Sequence, residues 1–488
     1  MKISISYPPL ESDKGTALLS QNRQFQWFNH PTYIYPMVPA STATLLQENS
    51  YEVFWDDGIA EEISYKQWLE RIKLEAPDMI IMESKTPVIK RHWKITDELK
   101  SVLPNSIVVL IGDHVTGMPE ESINACKVDY VVTGGNYDFS LLELANYLAK
   151  KDDFKELPFG IYTKVDDKII QGKKSYLTRD LNLLPRVDRE LTKWKMYSEK
   201  NGNFKYLPGT YTMAGRDCWW GRCTFCSWTT LHSGTNFKTV TPTKLLDEVG
   251  ELIEKYGVKE IFDDSGCFPH GSWLKEFCDG MIERGYNKKV IMGCNMRVGA
   301  LNQDEWNLMA KANFRFILIG LESMNQSTLD RLDKGVQIKD IEPTMKMAQK
   351  AGLDPHITTM VGYPWETKAE ATETINFAKR LFVEGSIDSL QATIVVPYPG
   401  TPMFKEAKEH GWLLTEDWDR YDMRESVWKS EVGTEDVKVF SQELYKAALT
   451  PSFIFRKVIG IRSWDDFMFL FRTGLKVLGH LKDFGKSK

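Results

Sequence analysis

Cysteine is scarce in this chain, with seven in 488 residues. No signal peptide opens it, so its thiols are expected to stay reduced in a cytoplasmic setting rather than to pair as disulfides. No apolar run is long enough to span a bilayer. No tandem repeat or low-complexity tract stands out. Cationic charge is not in excess: 62 Lys and Arg face 67 Asp and Glu, a formal net charge of −5, which argues against a nucleic-acid binder. The GxGxxG fingerprint is missing, so a dinucleotide is not the natural ligand. Apolar and charged fractions of 42% and 26% are those of a globular protein, and the length suggests roughly two to four domains.

What is present is concentrated in one loop. Cys218, Cys223 and Cys226 stand in the run from Arg216 to Cys226. Three thiolates on one loop can hold three corners of an iron–sulfur cube, and no fourth cysteine is nearby to close it. An open iron is a place to bind and reduce a substrate. A structural zinc site would need a fourth ligand; His232 is the candidate for a Cys3His set. Cys267, Cys278 and Cys294 lack close spacing and read as small buried apolar groups.

Over roughly residues 1–150, short apolar strands alternate with amphipathic helices. Strands are expected at Lys2–Ser6, Tyr51–Trp55, Asp78–Met82, Ser106–Ile111 and Asp129–Thr133. The alternation predicts a doubly wound parallel sheet, an α/β fold whose ligands sit at the carboxyl ends of the strands. The turns there contain Pro8-Pro9, Glu83-Ser84, Gly112-Asp113-His114-Val115-Thr116-Gly117 and Gly134-Gly135. Residues 151–208 read as a linker with a hairpin at Phe159–Gly172 and an extended crossing segment at Leu181–Trp194, which carries no assigned chemistry.

The alternation restarts over 209–424. Six strand–helix units, with strands at Thr210–Ala214, Lys259–Phe262, Val290–Cys294, Phe316–Gly320, Pro355–Val361 and Leu390–Val396, predict a partial (β/α)6 barrel with its site at the carboxyl ends. Those ends carry the cysteine loop, Asp263-Asp264-Ser265, Asn295-Met296-Arg297, Glu322-Ser323, and Gly362 to Thr367. Such groups suit a zwitterionic ligand with a ribose, although Asp264 or Ser323 could instead cap a helix. Residues 425–488 form a separate helical region. Within it Phe467, Leu470, Phe471, Leu475 and Leu478 recur at helical spacing among Arg456, Lys457, Arg462 and Arg472. An amphipathic helix packed on the domain is expected. A cap over the barrel mouth and contact with a membrane surface are the alternatives.

The cysteine loop, Asp263-Asp264, Gly320-Leu321-Glu322-Ser323, the Gly362–Thr367 run and Pro399-Gly400-Thr401-Pro402 resemble the radical S-adenosylmethionine (SAM) superfamily. Gly112–Glu121, Gly411-Trp412-Leu413 and Asp417–Tyr421 resemble its cobalamin-binding subgroup. Hopanoid-modifying enzymes and the anaerobic magnesium-protoporphyrin monomethyl ester cyclase are similar. The resemblance implies a [4Fe-4S] cluster on Cys218, Cys223 and Cys226. It implies SAM contacts from Glu322 and Ser323 to the ribose or amino group and from Arg297 to the carboxylate, with Phe225 and Gly362 flanking the adenine and Asp264 a SAM or structural contact. It further implies a Rossmann-like cobalamin domain with Pro8, Asp113, His114, Val115, Thr116 and Gly134 at the corrin. The activity implied is a 5′-deoxyadenosyl radical used in methylating an unactivated carbon. Radical cyclisation or oxidation of a lipid or tetrapyrrole-like substrate, and a non-catalytic carrier, are the alternatives. The implied partners are a small-molecule or lipid substrate and an electron donor such as flavodoxin or ferredoxin. Two departures stand out. Four residues rather than three separate Cys218 from Cys223, so the loop must bulge, with Gly221 the residue that allows it. The Asp-x-His-x-x-Gly signature is absent, so His114 is expected to be a turn residue or to face cobalt.

Overall fold

The computed structural model describes residues 1–19, 25–28, 32–150, 156–173, 179–201, 203–231, 236–447, 450–461, 463–464, 466–471 and 474. His232, Leu475 and Leu478 lie outside the described residues.

The first 150 residues build five parallel strands: β1 (Lys2–Tyr7), β2 (Glu52–Asp57), β3 (Met79–Ser84), β4 (Ile107–Gly112) and β5 (Tyr130–Val132). Their spatial order is β2-β1-β3-β4-β5. In-register pairs such as Ile5↔Trp55, Ile81↔Val109 and Leu110↔Val131 run through it. Ile80, Ile81, Val108 and Val109 are fully buried, as expected of a sheet covered on both faces. The helices are α1 (Met37–Glu48), α2 (Tyr65–Glu75), α3 (Ile89–Val102), α4 (Asp113–Gly117), α5 (Pro119–Ala125) and α6 (Tyr137–Leu148). Ser64 and Gln67 start α2 with a reciprocal capping box.

The hairpin expected within the linker joins this sheet. Strands β6 (Ile161–Val165) and β7 (Lys168–Gln171) extend it, β6 pairing antiparallel with β5. The turn at Asp166-Asp167 has φ of +48° and +61°, the left-handed pair that matches strand twist in a two-residue hairpin. In the crossing segment, buried Arg189 donates to Thr210 Oγ1 and the Tyr211 carbonyl and pairs with Glu248 at 2.8 Å. Its guanidinium also lies 4.9 Å from the Tyr35 ring, so it ties the N-terminal unit to the next sheet.

That sheet has six parallel strands in sequence order: β8 (Gly209–Thr212), β9 (Glu260–Asp263), β10 (Ile291–Met296), β11 (Phe314–Glu322), β12 (Asp354–Val361) and β13 (Ser389–Ile394). Between and after them run α7 (Ser227–Leu231), α8 (Pro242–Glu254), α9 (Ser272–Glu283), α10 (Gln303–Lys311), α11 (Gln326–Arg331), α12 (Ile338–Lys350), α13 (Lys368–Glu384) and α14 (Pro402–Glu409). Capping boxes at Asn302/Glu305 and Thr367/Glu370 start α10 and α13. Strand β11 runs two residues past the expected Gly320 and bulges there, with Glu322 at φ +66°.

The C-terminal region is helical, with α15 (Thr434–Ala447) and α16 (Pro451–Ile459). Among the described residues it spans both poles of the sheet: Trp428 donates to the Gly362 carbonyl just past the end of β12, whereas α16 lies at the other pole. Phe440 and Leu444 pack on Val361 and Ile375, and Phe453 stacks on Phe382 at 4.6 Å. Lys457 pairs with Asp388, just before β13. Asp466 meets Lys205 at 2.6 Å and Tyr206 at 3.1 Å, just before β8. Val361 closes β12, so α15 runs along the sheet from its carboxyl end, while the partners of Lys457 and Asp466 lie at the amino ends, the opposite pole. Among the described residues no helix is long and apolar enough to cross a membrane.

Candidate functional site

The cysteine loop is anchored at both ends. After β8, Ala214 N–H donates to Asp263 Oδ2 and Gly215 N–H to Ser265 Oγ, each at 2.8 Å. Asp217 accepts from Gly266 N–H at 2.5 Å, and Thr224 N–H donates to the Leu332 carbonyl at 2.9 Å. Helix α7 begins directly after Cys226. Gly221 has φ +59°, so the additional residue is absorbed where the sequence suggested. Trp220 donates to the Asp333 carbonyl at 2.6 Å and lies so close to Gly335 that a Cβ there would stand 2.1 Å from its ring.

All three loop thiols are free. Cys218 is pulled down to about 6, first by a hydrogen bond from Cys267, with help from the Gly221 and Trp220 amides and Arg297, against the cost of burial. Burial pushes Cys226 well up, and Cys223 up against the pull of Lys334 and Arg297. A partly buried thiolate flanked by cations suits an anionic cluster. Among the described residues no three His, Cys, Asp or Glu side chains converge to hold a single metal ion. Cys278 and Cys294 are buried apolar groups as expected. Cys267 is different: it lies against Cys218, a contact its sequence spacing did not reveal.

Around the loop stand the strand-end residues. Arg297 is buried between Trp219 and Trp220, 5.2 and 4.2 Å from their rings, and donates to the Lys334 carbonyl. Glu322 pairs with Lys334 at 2.6 Å. Phe225 packs beside Tyr363 and Met403, with the Lys334 ammonium 5.7 Å from its ring. Gly362 has φ +95°, and its carbonyl accepts from Trp428 at 2.8 Å. Asp264 is buried, its N–H donating to Thr212. Ser323 departs from expectation. It is fully buried and donates to Glu366 Oε1 at 2.6 Å while accepting from Asn325 N–H, so its hydroxyl serves the turn into α11 rather than a ribose. Sequence reading missed Lys334, Glu366 and Tyr363, although Tyr363 and Glu366 stood in a flagged run. Asp217 Oδ2, Glu366 Oε2 and Tyr363 Oη are buried without hydrogen-bond partners, polar atoms that a SAM-sized polar ligand could satisfy.

The N-terminal edge meets this loop. Gly135 N–H donates to the Leu231 carbonyl at 2.7 Å, at the end of α7. Asp138 at the start of α6 pairs with Arg216 at 2.8 Å, both side chains almost inaccessible at 0% and 5%. Gly117 packs on Pro399 and Gly400 so closely that a Cβ would stand 2.5 Å from a carbonyl oxygen. The carboxyl ends of both sheets thus converge on α7.

Here His114 needs correcting. It opens neither a turn nor a metal face. Residues 113–117 form α4, and the His114 ring is fully buried, bonded to Thr86 Oγ1 at 3.3 Å and Glu121 Oε2 at 3.0 Å. Trp93 and Trp418 enclose it, and with both nitrogens engaged it has none left for cobalt. Val115 on the same turn is also core. Thr116 donates to the Gly112 carbonyl at 2.7 Å and accepts from Gly134 N–H at 3.1 Å. Asp113 pairs with Lys85 at 3.3 Å, and Pro8 is buried at the end of β1. Glu83 Oε1 and Tyr137 Oη are buried without partners at this same edge, so it has unmet polar capacity for a ligand such as a corrin.

Residues 214–378 match the radical SAM superfamily. The chain is 26% identical over 420 residues to the uncharacterized methyltransferase PH0819 of Pyrococcus horikoshii, covering 86% of this chain and 87% of that one. It is 25% identical over 388 residues to the anaerobic magnesium-protoporphyrin IX monomethyl ester cyclase of Cereibacter sphaeroides, covering 78% and 60%. The fold matches the radical SAM methyltransferase TsrM of Kitasatospora setae, solved with cobalamin and a [4Fe-4S] cluster, with a TM-score of 0.63 and 16% identity over 84% of this chain and 78% of that one.

Proposed function

We propose that this chain, whose residues 214–378 form a radical SAM domain, is a cobalamin-dependent radical SAM enzyme that methylates an unactivated carbon. SAM at a [4Fe-4S] cluster supplies a carbon-centred radical that takes hydrogen from such a carbon, and cobalamin supplies the methyl group. Cys218, Cys223 and Cys226 hold the cluster, and Arg297 and Lys334 offset its negative charge. Glu322, Phe225 and Gly362 line the space for SAM, where the open backbone of Gly362 lets a planar ring approach. Trp219 and Trp220 shut water away from the loop. The N-terminal edge, with Asp113, Thr116 and Gly134, holds the corrin without a protein imidazole. The substrate is a small molecule, and a one-electron donor such as flavodoxin or ferredoxin supplies reducing equivalents.

One observation carries this reading: the carboxyl edges of the two sheets meet at the helix that follows Cys226, through Gly135 and Leu231. A methyl donor held at one edge would therefore lie next to the radical source at the other. The similarity to a protoporphyrin ester cyclase favours, as second reading, ring closure on a tetrapyrrole-like substrate.

The test is anaerobic reconstitution with iron, sulfide and hydroxocobalamin, followed by SAM and a strong reductant. Near-stoichiometric cobalamin after desalting and release of 5′-deoxyadenosine are expected, and, once a methyl-acceptor substrate is supplied, a product heavier by one methyl group. A protein that keeps its cluster but no cobalamin would move ring closure ahead. A fully clustered protein that releases no 5′-deoxyadenosine would overturn both enzymatic readings and leave a carrier.

A further inference from the structure

Two buried side chains at the carboxyl edge of the N-terminal sheet each have unmet hydrogen-bonding capacity. Glu83 closes β3, and the Tyr7 hydroxyl donates to its Oε2 at 2.6 Å. Its Oε1 has no donor. Tyr137 opens α6 and is fully buried within the field of Glu83 and Asp113. Its oxygen sits beside the Gly112 amide, and its O–H finds no acceptor. Each such group costs about 1–3 kcal/mol when left unpaired. Native folds keep few of them, and a ligand is a common reason.

The pair has a definite chemistry. A carboxylate oxygen accepts and a phenol donates. A primary carboxamide offers the complement: an NH2 to give and a carbonyl to receive. The rim of a corrin carries several such carboxamides, whereas SAM carries none. We infer that Glu83 and Tyr137 form a clamp for one carboxamide of the corrin rim, Glu83 accepting from its nitrogen and Tyr137 donating to its oxygen. This rests on the cobalamin reading above. Tyr7 fixes Glu83 by holding its other oxygen, and the Lys85–Asp113 pair borders the same edge.

The experiment uses the full chain with its cluster reconstituted. Two corrinoids are titrated at about pH 8, where the Glu83 carboxyl is ionised and accepts, followed by visible spectrum and tryptophan quenching: cobinamide, which carries carboxamides, and cobyrinic acid heptamethyl ester, which carries methyl esters instead. The wild type should bind cobinamide about tenfold or more tighter than the ester. Glu83→Leu and Tyr137→Phe should each weaken cobinamide by about tenfold and keep iron content and circular dichroism as in the wild type; Glu83→Leu should leave the ester, which has no N–H to give, nearly unchanged, whereas Tyr137→Phe should weaken it too, because its carbonyl still accepts. If Glu83→Leu does not fold, Tyr137→Phe, which removes a single oxygen, decides alone. Variants that bind both corrinoids as the wild type does would overturn the clamp and leave the cobalamin reading standing. A wild type that retains neither corrinoid would overturn both.

Discussion

Asp138→Leu tests whether the N-terminal edge supports the cysteine loop. The Asp138–Arg216 pair spans 2.8 Å with almost no solvent access, and Arg216 Nη1 already lacks a partner. Removing the carboxylate leaves a guanidinium buried and uncompensated, which costs about 3–5 kcal/mol. Asp138→Asn keeps an acceptor oxygen and should cost less, about 1–3 kcal/mol. Urea titration of the cluster-free protein, followed by tryptophan fluorescence, reads both values. Because Arg216 precedes Asp217 and Cys218, Asp138→Leu should also lower the iron retained after reconstitution and desalting. Glu260→Gln, which loosens the Arg315 pair at the opposite pole, should destabilise without that loss of iron. If Asp138→Leu costs under about 1 kcal/mol and retains iron like the wild type, the argument that this contact braces the loop is wrong.

Three further outcomes are expected. Burial holds the Glu83 carboxyl up to about 7, against an ordinary 4.5, despite Lys85 and the Tyr7 hydroxyl and with Asp113 and Asp57 adding to the rise. The folded state therefore keeps a proton that the unfolded state releases, and stability falls as pH climbs from about 4.5 to about 7, by roughly 3 kcal/mol in all; Glu83→Gln should flatten that fall, and parallel urea-midpoint profiles for the two proteins would contradict it. Gly362→Ala should cost about 1–3 kcal/mol through its backbone angle of +95°, since the new methyl would make only an ordinary 3.4 Å contact with Ile394; an unchanged thermal midpoint would show that the angle relaxes freely. Truncation at Thr450 should leave vesicle sedimentation unchanged while lowering the thermal midpoint by exposing Phe382; vesicle binding by the intact chain that the truncation abolishes would revive the membrane alternative.

The sequence carried the local rules well. Short apolar runs alternating with amphipathic segments located the strands and the helices between them, and Gly221 announced the bulge because only one residue in Trp219–Arg222 readily takes a positive φ. Pairings across long separations were invisible. Ser323 meets Glu366 at 43 residues' distance and Asp138 meets Arg216 at 78, and nothing in either neighbourhood marks the partner. His114 stood in a glycine-bounded turn, but five residues there wind into a helix that rolls its ring inward against Trp418, three hundred residues on. Cys267 has no motif spacing; only the turn after β9 brings it to Cys218.

Because α16 and Asp466 sit at the amino ends of the strands, that pole offers a handle remote from the chemistry. A cysteine introduced for exposed Phe455 could fix the protein to an electrode or resin in one orientation, leaving the cysteine-loop pole facing the solution.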